Sequence, residues 1–147
     1  MRQEYEIAFV DDIGADLIAS KEGKLFAISM KTRLFWEDSQ ESRMLVTEET
    51  HLEKLNVFAD LYGLQPLFAH VVSLAREGTI QSFIMPVDFI KSLRRVKYGH
   101  SLRFQKREDV ARLVQEPALL YAHFREVEIR DSDFGRVEMG STLAGRL

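Results

Sequence analysis

The chain has 147 residues, 46% hydrophobic and 29% charged, which is enough for one domain with a real core and too apolar for disorder. Lys and Arg total 20 against 23 Asp and Glu, so the formal net charge of -3 excludes a globally basic nucleic-acid binder, and any such affinity must be local. The absence of cysteine excludes disulfides, thiolate metal sites and a cysteine nucleophile.

The start of the chain lacks the basic, then long apolar, pattern of a secretory signal. No apolar run approaches the roughly 18 to 20 residues of a membrane helix. The expectation is a cytoplasmic protein with no membrane partner. Tyr5 to Val10 reads as a strand ended by Asp11-Asp12-Ile13-Gly14. Asp16 to Ser20 and Leu25 to Arg33 then form two more strands, joined through Ser20-Lys21-Glu22-Gly23-Lys24, where Gly23 can take the left-handed conformation of a short hairpin. A turn centred near Glu22 places Asp16 opposite the Ile28-Ser29 region. Aspartate and lysine on consecutive apolar strands need a reason, since buried charge is costly unless it is paired, metal-bound or near solvent.

Phe35 to Val46 shows no clear period and reads as a loop. Thr47 is a suitable N-cap, with Glu48 and Glu49 favoured in the first turn by the helix dipole. Leu52, Leu55, Phe58, Ala59 and Tyr62 follow at helical spacing, and Gly63 stops the helix. On that helix Glu48 and His51 fall on the core-facing side, while Glu49 and Glu53 point outward. Pro66 and the run through Val72 predict a buried strand, so the helix is a crossover between sheet strands. His70 on that strand reads as a satisfied core histidine. Thr79 to Met85 predicts another strand, and Pro86 opens a short helix through Phe89, Ile90 and Leu93. Ser101 to Phe104 predicts a strand, Arg107 to Val114 a helix, and Ala122 to Ile129 an alternating strand. The domain boundary is read as 1–129, with a mobile tail over 130–147.

Asp16, then Ser29-Met30-Lys31 on the next strand, then the helix and the strand Gln65-Pro66-Leu67-Phe68-Ala69-His70-Val71, resembles the PD-(D/E)xK nuclease superfamily. Over Phe26 to Val72 the chain is similar to archaeal-type Holliday junction resolvases. In those proteins a lysine strand is followed by a loop, a helix of the form LxxFAxxxG and a strand beginning with proline; Leu55 to Gly63 and Pro66 fit that form. The resemblance implies an α/β, restriction-endonuclease-like fold, a mixed β-sheet flanked by helices. It also implies a metal-dependent endonuclease that hydrolyses phosphodiester bonds in DNA, including branched DNA, and works as a homodimer. Mg²⁺ or Mn²⁺ would be held by Asp16 and Glu48, lowering the pKa of a bound water, and Lys31 would orient that water and complement the transition-state charge. The catalytic set is therefore Asp16, Lys31 and Glu48. Ser29 stands where the family carries an acid two residues before the lysine, and Glu48 would supply the replacement, with Glu6 a lesser alternative. The family's N-terminal helix has no counterpart in the four residues before Tyr5. The rival reading is a catalytically degraded nuclease fold that binds nucleic acid or a protein partner.

From Phe89 to Arg107 there is no acid. Lys91, Arg94, Arg95, Lys97 and Arg103, continued by Lys106 and Arg107 and joined by Arg33 on the lysine strand, are the candidate DNA contacts. Tyr98, His100 and Phe104 interleave with the cations, a composition suited to phosphate contact and base stacking. The plainer account of Arg94, Arg95 and Lys97 is a solvated helix end.

Overall fold

The structure is a computed structural model that describes residues 6–10, 14–35, 44–103, 111, 113–117, 119–124, 127–128 and 138–139. Five strands come in the order expected: β1 (Glu6–Phe9), β2 (Leu17–Lys21), β3 (Lys24–Phe35), β5 (Gln65–Leu74) and β6 (Thr79–Pro86). With β9 (Leu120–Phe124) they make a six-stranded sheet in the order β1-β2-β3-β5-β6-β9. Its one parallel pair is β3 with β5; the other neighbours are antiparallel. The mixed β-sheet flanked by helices is thus present.

The β2–β3 hairpin turns at Glu22 and Gly23, with φ of 52° and 77°. Positive φ at both central residues is the geometry of a type I′ turn, whose twist matches the flanking strands. The resulting register pairs Lys21 with Lys24 and Leu17 with Ile28. It lies one residue from the register expected for a turn centred on Glu22, because a two-residue loop is centred between Glu22 and Gly23.

A parallel pair needs a crossover, and α1 (Glu49–Tyr62) supplies it. Leu52, Leu55, Phe58 and Ala59 form its buried stripe. Gly63, at φ 65°, closes the helix, and Leu64 donates its backbone N–H to the Ala59 carbonyl. The stripe packs on the β3 and β5 side chains that share its face, Ala27, Phe68 and Val72, and on Phe83 and Met85 of β6. Complete burial of Leu52 and Leu55 stabilises the fold by roughly 2 kcal/mol each. The opposite face of the large sheet carries Leu17, Phe26, Ile28, Leu67, Ala69 and Ile84 along an open apolar groove of about 370 Å³.

The region between β3 and α1 departs from expectation. β3 runs to Phe35, and Met44–Glu48 is a strand, β4, rather than the end of a loop; residues 36–43 lie outside the described residues. β4 pairs with β8 (Gly99–Arg103), which pairs with β7 (Arg94–Val96), giving a three-stranded antiparallel sheet. Thr47 is therefore a buried strand residue, and Glu48, in extended conformation, takes the N-cap position with no side-chain cap bond. Threonine suits a strand as well as a cap, and pairing with β8 decides between them. Gly99 is a strand residue where any Cβ would overlap the Thr47 carbonyl.

α2 (Val87–Ser92) follows Pro86 as expected, and the strand expected from Ser101 begins two residues earlier, at Gly99. The alternating strand expected to run through Ile129 is divided: β9 belongs to the large sheet, whereas β10 (Val127–Glu128) pairs with β11 (Glu138–Met139). Of the helix expected over Arg107 to Val114, residues 111, 113 and 114 are helical, and the rest lies outside the described residues. So does the expected mobile tail, apart from β11.

Candidate functional site

Asp16 immediately precedes β2 and is exposed, with its backbone N–H donating to the Ile28 carbonyl at 2.9 Å. Its carboxylate turns towards β3: Oδ2 accepts the Met30 N–H at 2.6 Å and the Ser29 hydroxyl at 3.3 Å. The two-residue strand period places Ser29 and Lys31 on the face that α1 covers. His51 and Lys54, three apart on α1, face the same space. Together with Gly14, Met30 and Phe68 these side chains line a cleft of about 270 Å³. Gly14 is there because of a close approach: a Cβ would overlap Phe58. The residues that line the cleft include two lysines, Lys31 and Lys54, and one acid, Asp16.

Glu48 reaches Lys31 from the other side. Its Oε1 accepts a hydrogen bond from Lys31 Nζ at 3.3 Å. With the glutamate half-exposed, this pair adds under about 1 kcal/mol to stability, so its consequence is to position the ammonium. The three expected catalytic residues are thus gathered around Lys31, but Glu48 is not among the residues that line the Asp16 cleft.

Among the described residues, no three His, Asp or Glu side chains are grouped to hold a metal ion. Asp16 Oδ2 already serves two donors, Glu48 Oε1 is engaged by a lysine, and a serine hydroxyl is a poor Mg²⁺ ligand beside a carboxylate. These donors do not fit a Mg²⁺ or Mn²⁺ centre.

Beneath Lys31, His70 is its β5 partner in register and is buried, with 1% exposure. His70 Nε2 and Thr47 Oγ1 are hydrogen-bonded at 2.7 Å, which joins the two sheets; Nδ1 has no hydrogen-bond partner among the described residues. Burial, reinforced by the Lys31 and Arg33 charges, lowers its pKa from 6.5 to about 4, so the ring is neutral at physiological pH. The core histidine expected from sequence is there, satisfied at one nitrogen.

Four of the candidate DNA contacts stand on the three-stranded sheet, and none of the candidates lines the cleft. Arg94 and Arg95 are exposed on β7, Lys97 in the turn to β8 and Arg103 at the end of β8. They stand on a β-hairpin and not on the helix end that offered their plainer explanation. Lys97 Nζ lies 4.9 Å from the Tyr98 ring centre. Lys91 is exposed in the last turn of α2, and Arg33 is exposed on β3. Lys106 and Arg107 lie outside the described residues. Glu49, expected to point outward, instead braces this hairpin: Oε2 is 3.2 Å from His100 Nε2 and 3.9 Å from an Arg95 nitrogen. Its histidine partner lies 51 residues away in sequence, beyond any local pattern. Lys54 was also unmarked by the motif, although it follows His51 by three on a helix whose face was legible.

No family model matches the chain, and no curated protein matches it. Among solved structures, it is similar to Hjc of Archaeoglobus fulgidus, a Holliday junction resolvase from an archaeal hyperthermophile. The identity is 19% and the TM-score 0.47, over 67% of this chain and 74% of that one.

Proposed function

We propose that the chain is a DNA-binding protein of the nuclease-like α/β type, in which the Asp16–Lys31 cleft receives a backbone phosphate and the metal-holding part of a nuclease site is attenuated. The observation that carries this reading is the composition of the cleft: Lys31 and Lys54 converge on it from β3 and α1, while its one carboxylate is bonded to the Met30 N–H and the Ser29 hydroxyl. Two ammonium groups suit a phosphodiester oxygen, and Glu48 holds one of them in place. Arg94, Arg95, Lys97 and Arg103 would meet neighbouring phosphates as a second, more exposed contact. A second copy of the chain is part of the proposal: the open apolar face of the large sheet is the area that a homodimer would bury.

The test is binding of a labelled duplex and a four-way junction across a salt series, with Mg²⁺ or Mn²⁺ present and absent. The Lys31→Ala/Lys54→Ala variant should bind more weakly, with a log–log salt slope shallower by about 2, since each lost phosphate contact removes about 0.9. An unchanged slope rejects the cleft as a phosphate site. Metal-dependent cleavage of the junction, abolished by Lys31→Ala and by Asp16→Ala, would overturn the attenuated reading in favour of an endonuclease acting through Asp16, Lys31 and Glu48.

A further inference from the structure

A second cavity opens beside the Asp16–Lys31 cleft, on the outer side of α1, with a volume of about 320 Å³. Val57, Phe58, Leu61 and Tyr62 form its apolar wall, Glu53 lines it beside Lys54, and Gly14 and Lys54 belong to both cavities. Leu61 is 73% and Tyr62 58% exposed, an unusual outlay of apolar surface at the end of a helix whose inner stripe is fully used. The Tyr62 ring leans on the buried Phe58 ring, with centroids 4.9 Å apart and planes at 53°, so the exposed aromatic is braced.

We propose that this cavity is a nucleobase subsite, which takes an unpaired base from the strand whose phosphate lies at Lys31 and Lys54. The inference rests on the phosphate reading of the cleft and names its preferred ligand: single-stranded or locally unpaired nucleic acid. The two cavities share Lys54 in their linings, which puts a cation between the cleft and the Val57, Leu61 and Tyr62 wall. That sequence of chemistries matches a nucleotide, whose charge is on the phosphate and whose base has two apolar faces. Lys54 and Tyr62 are eight residues apart on α1, about 12 Å along the axis, a span that a short extended single strand can follow. Bases stacked within an intact duplex cannot present a face to Tyr62, so the site selects unpaired ones. An aliphatic partner segment would use the apolar wall but gain nothing from Lys54.

The experiment compares wild type, Tyr62→Ala, Tyr62→Phe and Leu61→Gln, each checked for a native circular dichroism spectrum. The probes are a labelled oligothymidylate, a single strand carrying 2-aminopurine and a matched duplex. Tyr62→Ala should weaken single-strand binding by about 5- to 150-fold, the span expected for loss of one base stack, and leave duplex affinity unchanged. Quenching of 2-aminopurine should persist in Tyr62→Phe and vanish in Tyr62→Ala. Leu61→Gln, at the rim of the cavity, should weaken single-strand binding to a smaller degree and keeps the test open if Tyr62→Ala does not fold. Equal affinity of wild type and both cavity variants for the single strand, or an equal loss on duplex, overturns the subsite while leaving the phosphate site standing. Loss of duplex and single-strand binding alike in Lys31→Ala/Lys54→Ala, with Tyr62 variants normal, has the same meaning; no DNA binding by wild type overturns both.

Discussion

The two sheets handle charge in opposite ways. In the six-stranded sheet the charges of the candidate site are held by partners: Asp16 by the Met30 N–H and the Ser29 hydroxyl, Lys31 by Glu48, and both line the cleft between β3 and α1. In the three-stranded sheet Arg94, Arg95 and Arg103 stand in solvent, and what is organised is the layer beneath them, where His100 lies between the Leu93 carbonyl and Glu49. A held charge can register one phosphate; a row of loose ones raises local attraction with little positional demand. The Thr47–His70 and Lys31–Glu48 hydrogen bonds both join the two sheets, and the buried one is the acid-sensitive of the two.

The largest effect is expected from pH. The folded-state pKa of His70, about 4, lies below the unfolded value of 6.5, so between these values the unfolded chain binds the extra proton. The stability this contributes is complete above 6.5 and is lost as the pH falls towards 4, by about 3 kcal/mol in total. Urea unfolding of wild type and His70→Gln over that range should show a steep fall for wild type and a shallower one for the variant; parallel profiles would remove His70 as the acid-sensitive joint.

Next in size, Gly99→Ala should cost about 2 kcal/mol, because the added methyl must displace the Thr47 carbonyl and with it the β4–β8 pairing. Hydrogen exchange should lose protection in β4, β7 and β8 while β5 and β6 keep theirs. Uniform loss across both sheets would mean that they open as one unit and that the contrast between them has no energetic counterpart.

Smallest for stability is the double reversal Arg94→Glu/Arg95→Glu, within about 0.5 kcal/mol by denaturant melt, since both side chains are exposed and the Arg95–Glu49 contact is long. The same variant should flatten the salt dependence of DNA binding by about 2 in log–log slope. A slope equal to wild type would take the hairpin out of the DNA surface and leave the cleft alone.

How much of this was legible in sequence follows from how local each signal is. The α1 stripe, its Gly63 stop and the crossover to β5 are carried by neighbouring residues and were readable. So was the approach of Asp16 to Ser29, because a hairpin fixes its own partners even when the register is one residue out. β4 was not, since Met44 to Glu48 carries a residue type at Thr47 that serves cap and strand equally, and its partner strand lies some fifty residues on. For the same reason Glu49 passed as a solvent-facing helix acid. Lys54 lay outside the motif's letters, and only the packing of α1 above Lys31 brings it to the cleft.

The Asp16–Met30 bond has a consequence for what the aspartate is free to do. β2 stops pairing at Leu17, opposite Ile28, and two residues further along β3 the Met30 N–H meets a carboxylate oxygen where a strand would have offered a carbonyl. Asp16 is in that respect a side chain acting as the next rung of a ladder. To swing towards a ligand it would have to abandon that rung and strand a backbone donor, so the acid of this cleft behaves as a fixed wall of the site.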